Sequence, residues 1–329
     1  MGGVSRQTYS ATFPPDRFYC LLDELPLHLV PRTALGVNPQ PAGRELFLNP
    51  ECRLYAGEEL PGELASQTEL LSVFALQGTI AWVRDRNTRA LAPFWLGRQF
   101  ESLVRDLRPE ERVPESLPMF ARTILESAGI LVSEDSIARR HVDREDAMGK
   151  AAELFRKKGY APLHGLIHPF HVAALRRYYR HQIRTGAIPL GDGQSPLRYV
   201  AYNDPVARLF HRQIAMPFGA VVGKPIKPSY VYLASYLGGA ELKKHVDREQ
   251  CEFSITLCLD FSPEPVLATP WPISLDTPTG KVTVYQALGD GLAYRGTRLP
   301  HYRSKLGKGQ TSTSIFFHYV AADFAGSLG

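Results

Sequence analysis

The same five residues occur twice in this chain, as His141-Val-Asp-Arg-Glu145 and His245-Val-Asp-Arg-Glu249. A His and an Asp two positions apart can supply two of the three protein ligands of a mononuclear iron centre. Residues i and i+2 of a strand share a face, so such a pair chelates one ion where extended backbone holds it. The first copy lies in a polar stretch, residues 133–150, with no strand ahead of it. The second follows a strand-like run and the Gly238-Gly239 turn, and precedes Glu252-Phe-Ser-Ile-Thr-Leu-Cys-Leu. The ion is therefore expected at His245 and Asp247, and the pair His141 and Asp143 is read as a chance repeat. The third ligand expected is His301, 56 positions beyond His245, in Gly296-Thr-Arg-Leu-Pro-His-Tyr-Arg-Ser. Two histidines and one carboxylate leave three coordination positions open, which suits a bidentate 2-oxo acid together with dioxygen.

Such ligands need a scaffold. At 329 residues the chain exceeds what one core usually organises, so two units are expected. Beyond residue 228 the pattern is period-two and short apolar runs, at 230–237, 253–261, 281–287 and 312–320. Turns are marked at 238–239, 263–265, 278–280 and 289–291. This predicts an antiparallel, β-rich C-terminal half. Ahead of it, 151–158 and about 169–185 read as helices. The segment up to about residue 55 reads as loops and short strands. Helical spacing from Leu64, at 96–107 and at 119–128 then predicts three helices, the last ended by Gly129 before a short strand. The polar residues 133–150 offer no face to bury, so the boundary is placed there, giving units 1–140 and 141–329 in an α+β protein.

From about residue 150 to 320 the sequence resembles the Fe(II)/2-oxoglutarate-dependent dioxygenases. The resemblance rests on Phe155-Arg-Lys-Lys-Gly-Tyr-Ala-Pro-Leu-His-Gly-Leu-Ile, on the strand and turn from Tyr232 to Asp247, on His301, and on the closing Ser-Ile-Phe-Phe-His-Tyr-Val. It implies a double-stranded β-helix, or jelly-roll, with flanking helices, and Fe(2+) at its mouth held by His245, Asp247 and His301. It further implies oxidative decarboxylation of 2-oxoglutarate by dioxygen, coupled to attack on an unactivated C–H bond, most often a hydroxylation. One departure stands out. Members usually carry an Arg or Lys about ten residues after the distal His, for the far carboxylate of 2-oxoglutarate; Thr311 stands there, with Thr313 following. Arg303, two residues past His301 and on the same side of a strand, is the first substitute, with Lys305 and Lys308 as alternatives. Tyr232, Tyr236 and Thr313 are further candidates for that carboxylate. An exposed charge at a strand end, for Arg303, and barrel packing, for the hydroxyls, are the competing readings.

The stretch Phe120-Ala-Arg-Thr-Ile-Leu-Glu-Ser-Ala-Gly-Ile-Leu-Val resembles the end of the small PqqD-like winged-helix domains that capture leader peptides. That resemblance implies a peptide substrate delivered by the first unit; a structural or dimerisation role is the alternative. His164, His168 and His171 sit close together at a helix start and are read as capping or packing residues, and His318 as a core residue. Basic clusters at 156–158, 175–180 and 303–308 read as solvated faces, since no RNA-binding or zinc-finger spacing accompanies them, which argues against a nucleic-acid partner. No apolar run is long enough for a bilayer. The first ten residues lack a signal-peptide core, and Gly2 with Ser5 matches a myristoylation signal only loosely, so a cytoplasmic location is expected. Four cysteines without a CxxC pair read as buried thiols. The function expected is hydroxylation of a peptide or protein side chain, or of an amino-acid-like natural-product intermediate. A catalytically silent jelly-roll that binds a partner through its basic clusters is the alternative.

Overall fold

A computed structural model describes residues 13–25, 45–56, 59–86, 88–108 and 111–328. The first ten residues, on which the targeting expectation rests, lie outside them. The N-terminal part contains β1 (Phe47–Leu48), β2 (Cys52–Ala56), β3 (Thr79–Arg84), β4 (Leu91–Trp95), α1 (Gly97–Val104), α2 (Met119–Ser127) and β5 (Leu131–Val132). Strands β2, β3 and β4 form an antiparallel sheet, and β1 pairs with β5. The helix expected from Leu64 is instead two 3-10 turns, Gly62–Leu64 and Thr68–Ser72. Its buried residues Leu64 and Leu70 stand six apart, off any single α-helical stripe, and Gln67 leaves helical geometry between them.

Residues 133–150, expected as a linker, belong to a 25-residue helix, α3 (Glu134–Lys158). A polar sequence need not bury a face if its ends and flanks are satisfied. Ser133 and Ser136 form a reciprocal cap, Glu134 and Asp135 occupy the first turn, and Gly159 closes the helix at φ 78°. Lys150 pairs with Asp146 and Lys157 with Glu153 at i,i+4. The boundary proposed between residues 140 and 141 falls within this helix.

There follow β6 (Tyr160–Leu163), α4 (Pro169–Arg184), β7 (Arg198–Tyr202), α5 (Pro205–Val222), β8 (Ile226–Leu237), β9 (Leu242–His245), β10 (Phe253–Ser262), β11 (Ile273–Thr277), β12 (Gly280–Val284), β13 (Gly291–Tyr294), β14 (His301–Arg303) and β15 (Thr311–Ala321). Helix α5 escaped the sequence reading, although Asp204 caps it, Pro205 begins it and Gly223 ends it at φ 82°. The strands form two antiparallel sheets, ordered β6-β13-β10-β15-β8-β7 and β12-β11-β14-β9. This mixed, antiparallel architecture is consistent with the expected jelly-roll.

Side-chain alternation divides the larger sheet. Ile255, Leu257, Ile315, Phe317 and Leu233 pack with α4 and α5, whereas Tyr236, Phe261 and Phe316 turn inward to Trp271. Leu292 and Tyr294 meet Ile273 and Leu275 of the smaller sheet. The N-terminal part covers the other side of the helices. Phe18 lies edge-on to Tyr178 and Phe210, and His171 Nε2 meets the Pro93 carbonyl at 2.8 Å. His168 caps α4 and reaches the Ser127 carbonyl at 3.0 Å, as its capping role required. One apolar cluster thus runs from Phe18 to Tyr319. All four cysteines are free and buried, and burial pushes their thiols up to about 12 for Cys20, Cys52 and Cys251, and about 11 for Cys258. No helix among the described residues is long and apolar enough to cross a membrane.

Candidate metal centre

Strand β9 ends at His245 and β14 begins at His301, and the antiparallel register sets these two residues opposite each other. Their rings stand 4.4 Å apart. Each imidazole is tied to a carbonyl two residues back. His245 Nδ1 lies 2.7 Å from Lys243 O, and His301 Nδ1 lies 3.0 Å from Leu299 O. A carbonyl only accepts, so each Nδ1 carries the hydrogen and each Nε2 presents a lone pair. Both Nε2 atoms face Asp247 Oδ1, at 3.7 Å from His245 and 3.5 Å from His301. One ligand atom from each of the three residues lies within 4.8 Å of the others.

Asp247 lies beyond the end of β9, so strand alternation alone does not aim it. Its N–H donates to Gly296 O at 2.9 Å, and Gly296 N–H donates to Glu252 O at 3.1 Å. A Cβ on Gly296 would collide with Asp247 Oδ2, Cys251 O and Ser254 Oγ. The approach requires glycine there. Burial disfavours the Asp247 charge, and the Ser254 hydroxyl, donating to Oδ2 at 3.0 Å, favours it. The carboxylate is ionised, as a ligand must be. The His301 side chain is 3% exposed and that of His245 40%, so the cluster opens to solvent on the His245 side.

The first copy of the repeat has no such arrangement. His141 and Asp143 lie in α3, where residues two apart point about 200° apart around the axis. His141 Nε2 pairs with Glu145 at 3.4 Å instead.

Among the expected cofactor residues, Arg303 is buried at 5% exposure on the same side of β14 as His301. Its guanidinium donates to Trp271 O and to Gln286 Oε1 and lies 4.8 Å from the centre of the Trp271 ring. Both partners are neutral, and no carboxylate among the described residues forms an ion pair with it. Tyr236 also points inward, and its hydroxyl accepts from Arg198 Nη1 at 3.4 Å. Arg198 itself is forked onto Asp192, which holds its charge. Tyr232 is layered between Tyr202 and Phe316, at 5.4 and 4.6 Å between ring centres. Thr313 faces the other way. It sits opposite Asp260, which binds Arg176 and Arg180 of α4, and its hydroxyl donates to Ser235 on the helix side of the sheet. Lys305 and Lys308 are exposed. The sequence reading passed over Ser254, Tyr294 and Gln286 and read His318 as core; Ser254 binds Asp247 and His318, the Tyr294 ring lies 4.7 Å from that of His301, and Gln286 accepts from Arg303.

No protein-family model matches the chain, and no curated protein matches it. Similar solved structures do exist. The non-heme alpha ketoglutarate dependent carbocyclase SnoK from nogalamycin biosynthesis is 12% identical, with 56% of this chain and 88% of that one covered at a TM-score of 0.47. A Pseudomonas putida prolyl-4-hydroxylase is 15% identical, covering 52% and 98% at 0.42. HygX from Streptomyces hygroscopicus, solved with nickel, 2-oxoglutarate and hygromycin B bound, is 14% identical, covering 53% and 88% at 0.43. Each of these likenesses spans a little over half of this chain.

Proposed function

We propose that this chain is an Fe(II)- and 2-oxoglutarate-dependent oxygenase in which His245, Asp247 and His301 hold the iron. The observation that carries the proposal is the fixed tautomer of both histidines. Two Nδ1–H groups spent on backbone carbonyls leave two Nε2 lone pairs converging on one carboxylate oxygen. Arg303 is the partner proposed for the far carboxylate of 2-oxoglutarate, because a buried guanidinium without a counter-ion is costly unless an anion joins it. Tyr232 and Tyr236 line the same interior. Iron, 2-oxoglutarate and dioxygen together supply an oxidant able to take a hydrogen atom from an unactivated C–H bond. The chain itself positions the ligands, keeps Asp247 ionised, walls the interior with aromatic rings and leaves the His245 side open for substrate.

Within the same proposal the reaction is a hydroxylation of a peptide side chain or an amino-acid-like small molecule in the cytoplasm. Residues 141–329 are the proposed oxygenase unit, and the described residues of 1–140, which reach α4 and α5 through Phe18 and Phe94, are the candidates for capturing a peptide. A silent binding module would not require the aligned imidazoles, so that alternative is not favoured. The test is iron binding and succinate formation from 2-oxoglutarate. His245→Ala, Asp247→Ala and His301→Ala should abolish both, and His141→Ala and Asp143→Ala should change neither. Loss confined to the α3 variants, or wild-type protein that takes up no iron, would overturn the assignment. Mass spectrometry of candidate substrates incubated with the loaded enzyme then reads the site of oxidation.

A further inference from the structure

We infer that His318 and Ser254 form a relay that orients Asp247, which makes His318 a positioning residue of the metal centre. The inference rests on the metal assignment above. Asp247 has two oxygens with separate duties. Oδ1 faces the two histidines, and Oδ2 accepts from Ser254 Oγ at 3.0 Å. Ser254 has one hydrogen to give. The charged carboxylate at 3.0 Å outcompetes the Cys251 carbonyl at 3.4 Å for it. His318 Nδ1 stands 2.9 Å from the same serine oxygen and must then be the donor. The chain of hydrogens runs from His318 to Ser254 to Asp247, from β15 through β10 to the ligand.

The remaining edge of His318 supports this direction. With Nδ1 protonated, Nε2 is a bare lone pair, and it is buried with no hydrogen-bond partner. A side chain there for packing alone would be better served by phenylalanine, as at Phe316 and Phe317 beside it, because an orphaned buried acceptor is unfavourable. The polar atom with a task is Nδ1. The ring packs against Tyr230, tilted at 41°, and Tyr232, stacked at 21°, at 4.7 and 5.7 Å between ring centres, which restricts where Nδ1 points. Partners of this kind behind a ligand typically alter metal affinity by about 10- to 100-fold.

The experiment titrates Co(II) alone into the metal-free full-length protein and records its visible d–d bands, with thermal melting of the metal-free protein alongside. His318→Asn carries an amide N–H where Nδ1–H stood. His318→Gln places it one bond further out, at the level of Nε2. Ser254→Ala removes one oxygen and little else. We expect Ser254→Ala and His318→Gln to weaken Co(II) binding by about 10- to 100-fold and to move the bands. His318→Asn should restore most of the affinity, with melting temperatures close together across the set. Wild-type affinity and spectrum in both Ser254→Ala and His318→Gln would overturn the relay, as would Asn no better than Gln. Should the His318 variants not fold, Ser254→Ala alone decides it. Wild-type protein that binds no Co(II) would remove the metal assignment and the relay together, an outcome distinct from an insensitive relay.

Discussion

Replacing Arg303 by methionine tests the cofactor half of the proposal, because two effects should separate. The guanidinium is buried, its two hydrogen bonds go to the Trp271 carbonyl and the Gln286 side chain, and no carboxylate among the described residues forms an ion pair with it. Without 2-oxoglutarate, removing it strands two buried acceptors, at about 1–3 kcal/mol each, and removes a desolvated charge of several kcal/mol. These roughly cancel, so the ligand-free melting temperature should change by only a few degrees. With 2-oxoglutarate the effects no longer cancel. A hydrogen bond to a charged group contributes about 1.5–3 kcal/mol, which converts to a roughly 10- to 150-fold weaker Kd. At a concentration of about 100 times the wild-type Kd, the wild-type protein gains about 2.7 kcal/mol of stability and the variant far less. The assay is anaerobic titration of 2-oxoglutarate into Ni(II)-loaded protein, by calorimetry or by the fluorescence of Trp271, whose ring lies against the guanidinium. An unchanged Kd in a variant that binds nickel normally would refute the pairing and return the carboxylate to another cation.

Three more outcomes are expected. Gly296→Ala should lose metal binding at least as fully as a ligand variant, since the new methyl collides with Asp247, Ser254 and the Cys251 carbonyl; wild-type Co(II) affinity would contradict the close approach. Stability should fall as pH falls below about 6.5, because burial holds His168 and His211 at about 3 and His171 at about 4 while the unfolded chain takes up their protons. Each such imidazole removes about 1.4 kcal/mol per pH unit between those limits, so urea midpoints should drop steeply from pH 6.5 to 4.5, and His171→Phe should flatten the slope. A chain beginning at Arg144 should aggregate on size-exclusion chromatography, because it uncovers the α4 and α5 surface that Phe18 and Phe94 occupy; a monodisperse, metal-binding fragment would instead support a separable oxygenase unit.

The three candidate ligands were legible as candidates because of spacing and context, a His-X-Asp pair after a strand-like run and turn with a distant His in the same β-rich half. Their supporting residues were not. In β15 the nine residues from Ser312 to Val320 are all buried, so both faces of the strand look alike in sequence and alternation gives no direction. Thr313 was therefore weighed both as a candidate for the carboxylate and as packing, and it faces α4, while His318 was set aside as core. For Arg303 alternation sufficed, since its two-residue spacing from His301, already placed as a ligand, put it on the same side. Helix α5 was missed for a different reason. Its start and stop signals, Asp204-Pro205 and Gly223, are plain, but its apolar residues run nearly all around it, as expected of a helix packed between sheet and N-terminal part. The polar α3 failed in the opposite sense, since caps and ion pairs can hold a helix that hydrophobic periodicity does not announce.

The cysteines carry a consequence for handling. A thiol with a pKa of 11–12 is ionised to only about one part in ten thousand or less near pH 7, against a few per cent for an ordinary free cysteine. Since the thiolate is the form that peroxides and alkylating agents attack, the four thiols should react slowly with both in the folded chain, even at Cys251, whose sulfur lies 3.1 Å from the Tyr230 hydroxyl. Under the proposed function, the thiol beside the metal centre would thus stay silent towards the oxidant formed there. Iodoacetamide labelling becomes a clock: the four thiols should react only as fast as the chain opens, so their modification rate measures unfolding and its slowing by bound metal.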